Sequence, residues 1–120
     1  MPEIVVKRVY EPYDPEDGYR ILVDRLWPRG IKKENLPYDM WAKEVTPSSG
    51  LRKWFHSDPE HHWPVFVSHY REELSQSDAV EKLMPLLASH PKITLLYASK
   101  NKEQNHALIL KDFLDKKMKA

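Results

Sequence analysis

Ile93-Thr94-Leu95-Leu96-Tyr97-Ala98 is a short apolar run, with His90-Pro91 before it and Ser99-Lys100-Asn101 after it. Such runs suit a central strand covered on both faces, because no position is reserved for water. Helical patterns flank it. Downstream, Asn101 reads as the cap of a final helix, with Gln104 as its capping-box partner three residues on. Ala107, Leu110, Phe113 and Leu114 give that helix a buried stripe. Lys116, Lys117 and Lys119 suit the negative end of its dipole.

Upstream, Ser77-Asp78 opens a helix striped by Val80, Leu83, Met84 and Leu87, with Pro85 expected to kink it. Asp58-Pro59 opens another, with Trp63, Phe66, Val67, Tyr70 and Leu74 on one face. A shorter helix is expected from Thr46, as cap, and Pro47 to about His56. Before it, Glu3–Tyr10, Tyr19–Asp24 and Tyr38–Val45 read as strands, separated by turn-rich and basic loops. The order β-β-β-α-α-α-β-α predicts one compact layered α/β domain over residues 1–120, its sheet of about four strands covered by helices.

The composition narrows the function. Lys plus Arg number 19 and Asp plus Glu 18, a net charge of +1. A protein that coats polyanions needs cations not already offset, so that class is disfavoured. With no cysteine, disulfides, thiolate nucleophiles and Cys-based metal sites are excluded. No window approaches the ~20 apolar residues of a membrane span, and the first ten residues lack the apolar core of a secretory signal. The expectation is a cytoplasmic protein with no membrane partner.

Ligands of open α/β sheets gather at the carboxyl ends of strands. Two exits are informative. The first, Asp24 to Lys33, holds Arg25, Arg29, Lys32 and Lys33 and, after Asp24, no acid. Guanidinium forks match phosphate or carboxylate, Trp27 offers a stacking face, and Gly30 permits close backbone approach. The plain alternative is a solvated basic loop with Trp27 as a core lid.

The second exit, Ser99-Lys100-Asn101, leads into the last helix, where free amides attract an anion. Capping alone also explains Asn101. Asn105 and His106 follow, and His106 paired with Asp24 would supply a general acid and base. His56, His61, His62 and His69 cluster in sequence, but His62 and His69 would lie ~10 Å apart on a helix, too far for one metal. No metal or cofactor is expected. No serine sits in a G-x-S-x-G context, so a catalytic triad is not expected either.

The run Asp17-Gly18-Tyr19-Arg20-Ile21-Leu22-Val23-Asp24-Arg25-Leu26-Trp27-Pro28-Arg29-Gly30 resembles the YeaO-like proteins, family 488 of the bacterial domains of unknown function. The resemblance continues through Trp41-Ala42-Lys43-Glu44, Thr46-Pro47-Ser48 and Leu51-Arg52-Lys53. It ends in Leu95-Leu96-Tyr97-Ala98-Ser99-Lys100-Asn101 and Asn105-His106-Ala107-Leu108. It implies a small bacterial cytosolic α/β protein and no particular activity. Wider relatives tend to carry a Cys in the last strand and Cys-His-Arg at the helix start. The matching positions here are Tyr97 and Asn105-His106-Ala107. Only the histidine is kept, so a thiol mechanism does not transfer.

The leading expectation is therefore a domain binding an anionic small molecule, a phosphate or nucleotide. Arg25, Trp27, Arg29, Lys32, Ser99, Lys100, Asn101 and Asn105 would contact it, and Asp24 and His106 would act if acid–base chemistry occurs. The alternatives are a nucleic-acid-binding module, and a structural or partner-binding protein whose Trp residues are core or interface. The leading reading requires the basic bend and the start of the last helix to meet in one cavity.

Overall fold

The strand at Lys92–Tyr97 lies inside the sheet, with Ile93, Thr94, Leu95 and Leu96 fully buried. The computed structural model describes residues 2–119. Its elements are β1 (Glu3–Arg8), β2 (Tyr19–Leu22), β3 (Met40–Trp41), α1 (Ser49–Ser57), α2 (Pro59–Ser75), α3 (Asp78–Ala88), β4 (Lys92–Tyr97) and α4 (His106–Lys119). The four strands form one parallel sheet in the order β1-β4-β2-β3. Leu95 is in register with Val6 of β1 on one side and Ile21 of β2 on the other. The protein is a single-sheet α/β fold, as the pattern predicts.

The two faces of β4 are covered differently. Ile93, Leu95 and Tyr97 join the main core, to which all four helices contribute, including Phe55, Phe66, Tyr70, Leu83, Leu87 and Leu110. Leu96 turns the other way and packs with Val9, Leu22 and Leu36 under Trp27 and Trp41. Loops rather than helices cover that second face. The continuous apolar strand needs two dry faces, and a Trp-lined loop supplies one of them.

A buried ion cluster ties the loops to the sheet. Arg20, 2% exposed, pairs with Asp17 and donates from Nε to the Pro37 carbonyl at 2.8 Å. Lys7 reaches the same carboxylate at 3.0 Å. The hydroxyl of buried Thr94 donates to the Asp17 carbonyl at 2.7 Å. Buried charges persist only when paired and hydrogen-bonded in this way.

The first two strands each stop two residues short of expectation, at Arg8 and Leu22. Three further boundaries differ, each for a local reason. The third strand is two residues, not eight. After Ala42 donates to the Leu22 carbonyl, the chain coils into a short 3₁₀ turn at Lys43–Val45. Helix α1 is capped by Ser48, whose Oγ accepts the Leu51 amide. Thr46 instead donates its hydroxyl to the Lys43 carbonyl. The last helix starts at His106 rather than just after Asn101. Asn105 accepts the Leu108 amide at 3.0 Å, the bond of a cap. Asn101 spends its side chain on a preceding turn, accepting the Glu103 and Gln104 amides at 2.9 Å. Helix α3 runs on through Pro85, which removes one helical donor without ending the helix. Among the described residues, no helix is long and apolar enough to cross a membrane.

Candidate functional site

At the carboxyl ends of β2 and β4 the chain diverges, and the two exits border a cavity of about 450 Å³. Asp24, Arg25, Trp27 and Arg29 come from the first exit, and Ser99 and Lys100 from the second. Asn105 and His106 close it from the start of α4. The two segments on which the leading expectation depends do meet.

Asp24 joins the exits. Its Oδ2 accepts the Ala98 amide at 2.9 Å, and its backbone carbonyl accepts Trp41 Nε1 at 2.6 Å. Its Oδ1 lies 3.2 Å from His106 Nε2. The same nitrogen is 2.6 Å from the Val23 carbonyl oxygen. A carbonyl can only accept, so Nε2 carries the proton, and His106 bridges the end of β2 to α4.

The cations of the cavity are left without acids. Among the described residues, none of Arg25, Arg29, Arg52 and Lys100 has a carboxylate within 4.0 Å, whereas Asp24 is the one carboxylate in the lining. Arg25 donates from Nη2 to the Pro47 carbonyl at 3.3 Å. Its Nε, and that of Arg52, are buried without a hydrogen-bond partner. A buried donor without an acceptor costs about 1–3 kcal/mol. An anion entering here would meet side-chain cations that no acid among the described residues neutralises. Arg29 and Lys100 are exposed at the rim. Tyr10 fixes the rim by donating its hydroxyl to the Arg29 carbonyl at 2.9 Å.

Two expected contacts lie outside the lining. Lys32 is exposed and precedes the 3₁₀ turn at Lys33–Asn35. Gly30, with φ of 79°, turns the chain, and Trp27 Nε1 closes the loop on the Ile31 carbonyl at 2.6 Å, leaving Lys32 beyond it. Asn101 is held in its own turn. Trp27 borders the cavity, but its ring is wedged edge-on against Tyr38 and Trp41, with centroids 5.8 and 5.5 Å away. It is lid and lining at once.

Of the clustered histidines, His61, His62 and His69 go elsewhere. His61 meets Asp58 at 2.8 Å, and His62 stacks on Trp54 with ring centroids 3.8 Å apart.

Over residues 3–120 the chain matches the family described as the inactive DUF488-N3 subclade. It belongs to the DUF488 family. The chain is 51% identical over 111 residues to the uncharacterized protein YeaO of Escherichia coli K12, covering 92% of this chain and 96% of that one. It is 42% identical over 110 residues to the uncharacterized protein Rv3073c of Mycobacterium tuberculosis H37Rv, covering 92% of each. The uncharacterized protein Mb3100c of Mycobacterium bovis stands at the same identity and coverage. No solved structure matches.

In this DUF488 chain, the positions that resemble the thiol sites of wider relatives are given to structure. Tyr97 is 3% exposed in the core, and burial pushes its hydroxyl up, so it stays neutral. Asn105, equally buried, is the cap of α4.

The sequence reading missed Arg52 and His56, which line the cavity from α1. The signal was available: the two are four residues apart on a helix, hence on one face, and Leu51-Arg52-Lys53 belongs to the family resemblance.

Proposed function

We propose that this DUF488 domain binds a phosphate-bearing small molecule, a nucleotide among them, in the cavity between the β2 exit and α4. One observation carries this reading: four side-chain cations line a cavity with a single carboxylate, and among the described residues no acid is paired with any of them. Binding is favoured over catalysis, because the cysteine-free sequence and the family's description as inactive point the same way. A cytoplasmic location is part of the proposal. A chain without cysteine gains nothing from an oxidising compartment.

Thermal unfolding with phosphate, sulfate and nucleotides tests the proposal, since a ligand that binds only the folded state raises the melting temperature. Arg25→Ala should weaken binding by about 1.5–3 kcal/mol, the scale of a charged hydrogen bond. An unchanged melting temperature across millimolar ligand would sink the proposal.

Two further readings have specific support. The 3.2 Å approach of Asp24 and His106 suits proton transfer on a bound ligand, which a turnover assay on Asp24→Asn would expose. The exposed Arg29, Lys32 and Lys33 suit a nucleic-acid backbone. Binding to single-stranded oligonucleotides that decays steeply with salt would favour that class.

A further inference from the structure

The cations of the cavity fall into two groups. Arg29 and Lys100 are exposed at the mouth. Arg25 and Arg52 are part-buried, and each holds its Nε out of solvent with no partner among the described residues. The second pair sits on a braced frame. Arg25 is bonded to the Pro47 carbonyl. One residue further on, Ser48 is gripped by Glu73, which accepts its amide at 2.9 Å and its hydroxyl at 2.6 Å. Tyr70 holds the same segment by donating to the Val45 carbonyl at 2.5 Å. Arg52 and His56 stand one turn apart on α1, which starts at that clamp. The backbone that carries Arg52 and accepts Arg25 is therefore fixed before a ligand arrives, which lowers the cost of ordering the site.

Their charge needs a matching anion. Asp24 cannot serve, because its carboxylate is committed to the Ala98 amide and to His106. Two guanidiniums match a group carrying about −1.5 to −2 charges with several acceptor oxygens, which describes a phosphomonoester near neutral pH. A volume of about 450 Å³ falls in the range of small-molecule sites, roughly 300–1,000 Å³, and leaves space beyond a phosphate group. That space is partly apolar, with Leu26, Trp27 and Pro28 in the wall and Leu26 70% exposed.

On the reading above, we infer that Arg25 and Arg52 form an inner seat for the phosphate of a small organic phosphomonoester. The organic body lies outward along Leu26, Trp27 and Pro28, where Arg29 and Lys100 only steer the ligand in. Arg52 is thus a principal binding residue.

Isothermal titration of the full chain with adenosine 5′-monophosphate, glucose 6-phosphate, inorganic phosphate and adenosine decides this. At least one of the two esters should bind at least tenfold tighter than inorganic phosphate, and adenosine should not bind. The ester that binds tells an aromatic body from a sugar body. Arg25→Gln and Arg52→Gln should each weaken the ester at least tenfold, whereas Arg29→Gln and Lys100→Gln should each change it less than threefold. Arg52→Lys, which keeps the charge but removes the buried Nε and the fork, should also lose at least fivefold, and it stands in should the glutamine variant fail to fold. Equal binding of phosphate and esters, or an ester that depends on Arg29 and Lys100 but not on Arg52, overturns the inner seat while leaving anion binding intact. Wild-type protein that binds neither phosphate nor ester at millimolar concentration removes both.

Discussion

His106 donates from Nε2 to the Val23 carbonyl, 2.6 Å away and 83 residues earlier in the chain. This bond holds the first turn of α4 against the end of β2, with the Asp24 carboxylate beside it. His106→Ala removes a donor from a part-buried carbonyl and should cost about 1–3 kcal/mol. Urea unfolding would show a lower midpoint with an unchanged slope. Because the change also frees one wall of the cavity, affinity for the ligand should fall with it.

The ion cluster at Asp17 predicts an acid limb. Burial alone would raise the carboxyl of Asp17, but bonds from Lys7, the Asp14 backbone and Arg20 outweigh it and hold the group below its ordinary 3.8. The unfolded chain then binds the proton more readily, so stability rises with pH through this window. The contribution is complete above the ordinary value and is lost as pH falls through the lowered native one. Asp17→Asn should leave Arg20 buried without its counter-charge, at a cost of about 3–5 kcal/mol near neutral pH. It should also flatten the dependence of denaturation midpoint on pH below 4, on the order of the unperturbed carboxylate range.

Two glycines with similar positive φ should respond differently to alanine. Gly18 (φ 69°) lies so close to β4 that a Cβ would overlap the Lys92 carbonyl oxygen. Gly30 (φ 79°) has nothing within 4 Å of such an atom. Gly30→Ala should cost only the backbone strain, about 1–2 kcal/mol. Gly18→Ala adds a clash with a fixed strand and should exceed it by at least ~1 kcal/mol. Equal melting temperatures for the two variants would contradict this packing.

Ser48→Ala tests the clamp at the start of α1. It loses the cap bond to the Leu51 amide and the bond to Glu73. A cap is worth about 0.5–2 kcal/mol. Glu73→Gln keeps one acceptor for Ser48 and should lose less. Both are read by thermal unfolding, with ligand titration reporting whether Arg52 has shifted.

The sequence made β4 readable because its apolar run permits no wet face. The approach of Asp24 to His106 was readable because strand exits and helix starts converge in parallel sheets. The short β3 was not, because Trp41-Ala42-Lys43-Glu44 carries no pattern that separates a strand from a 3₁₀ turn. The start of α4 was misplaced by four residues because Asn101 and Asn105 are equally good caps by type. Only the side-chain bonds tell them apart: Asn101 closes a turn and Asn105 starts the helix. The spacing of Arg52 and His56 puts them on one face of α1, but which way that face turns depends on how α1 packs, a long-range fact. Lys32 was overvalued because charge density along a chain ignores where a tight bend sends each residue.

The place of β4 has a consequence for biosynthesis. The sheet order sets this strand between β1 and β2, yet it is the last of the four to leave the ribosome. Until Lys92–Tyr97 emerges, β1 lacks its neighbour and the helices have no spine to lie on. Such non-local pairing carries the loop-closure cost that slows folding. The nascent chain must therefore wait with most of its helices already translated, and the binding cavity takes shape only when Ser99 through His106 have followed. Arrest of translation before Lys92 would release a protease-sensitive fragment, whereas release after α4 yields the finished domain.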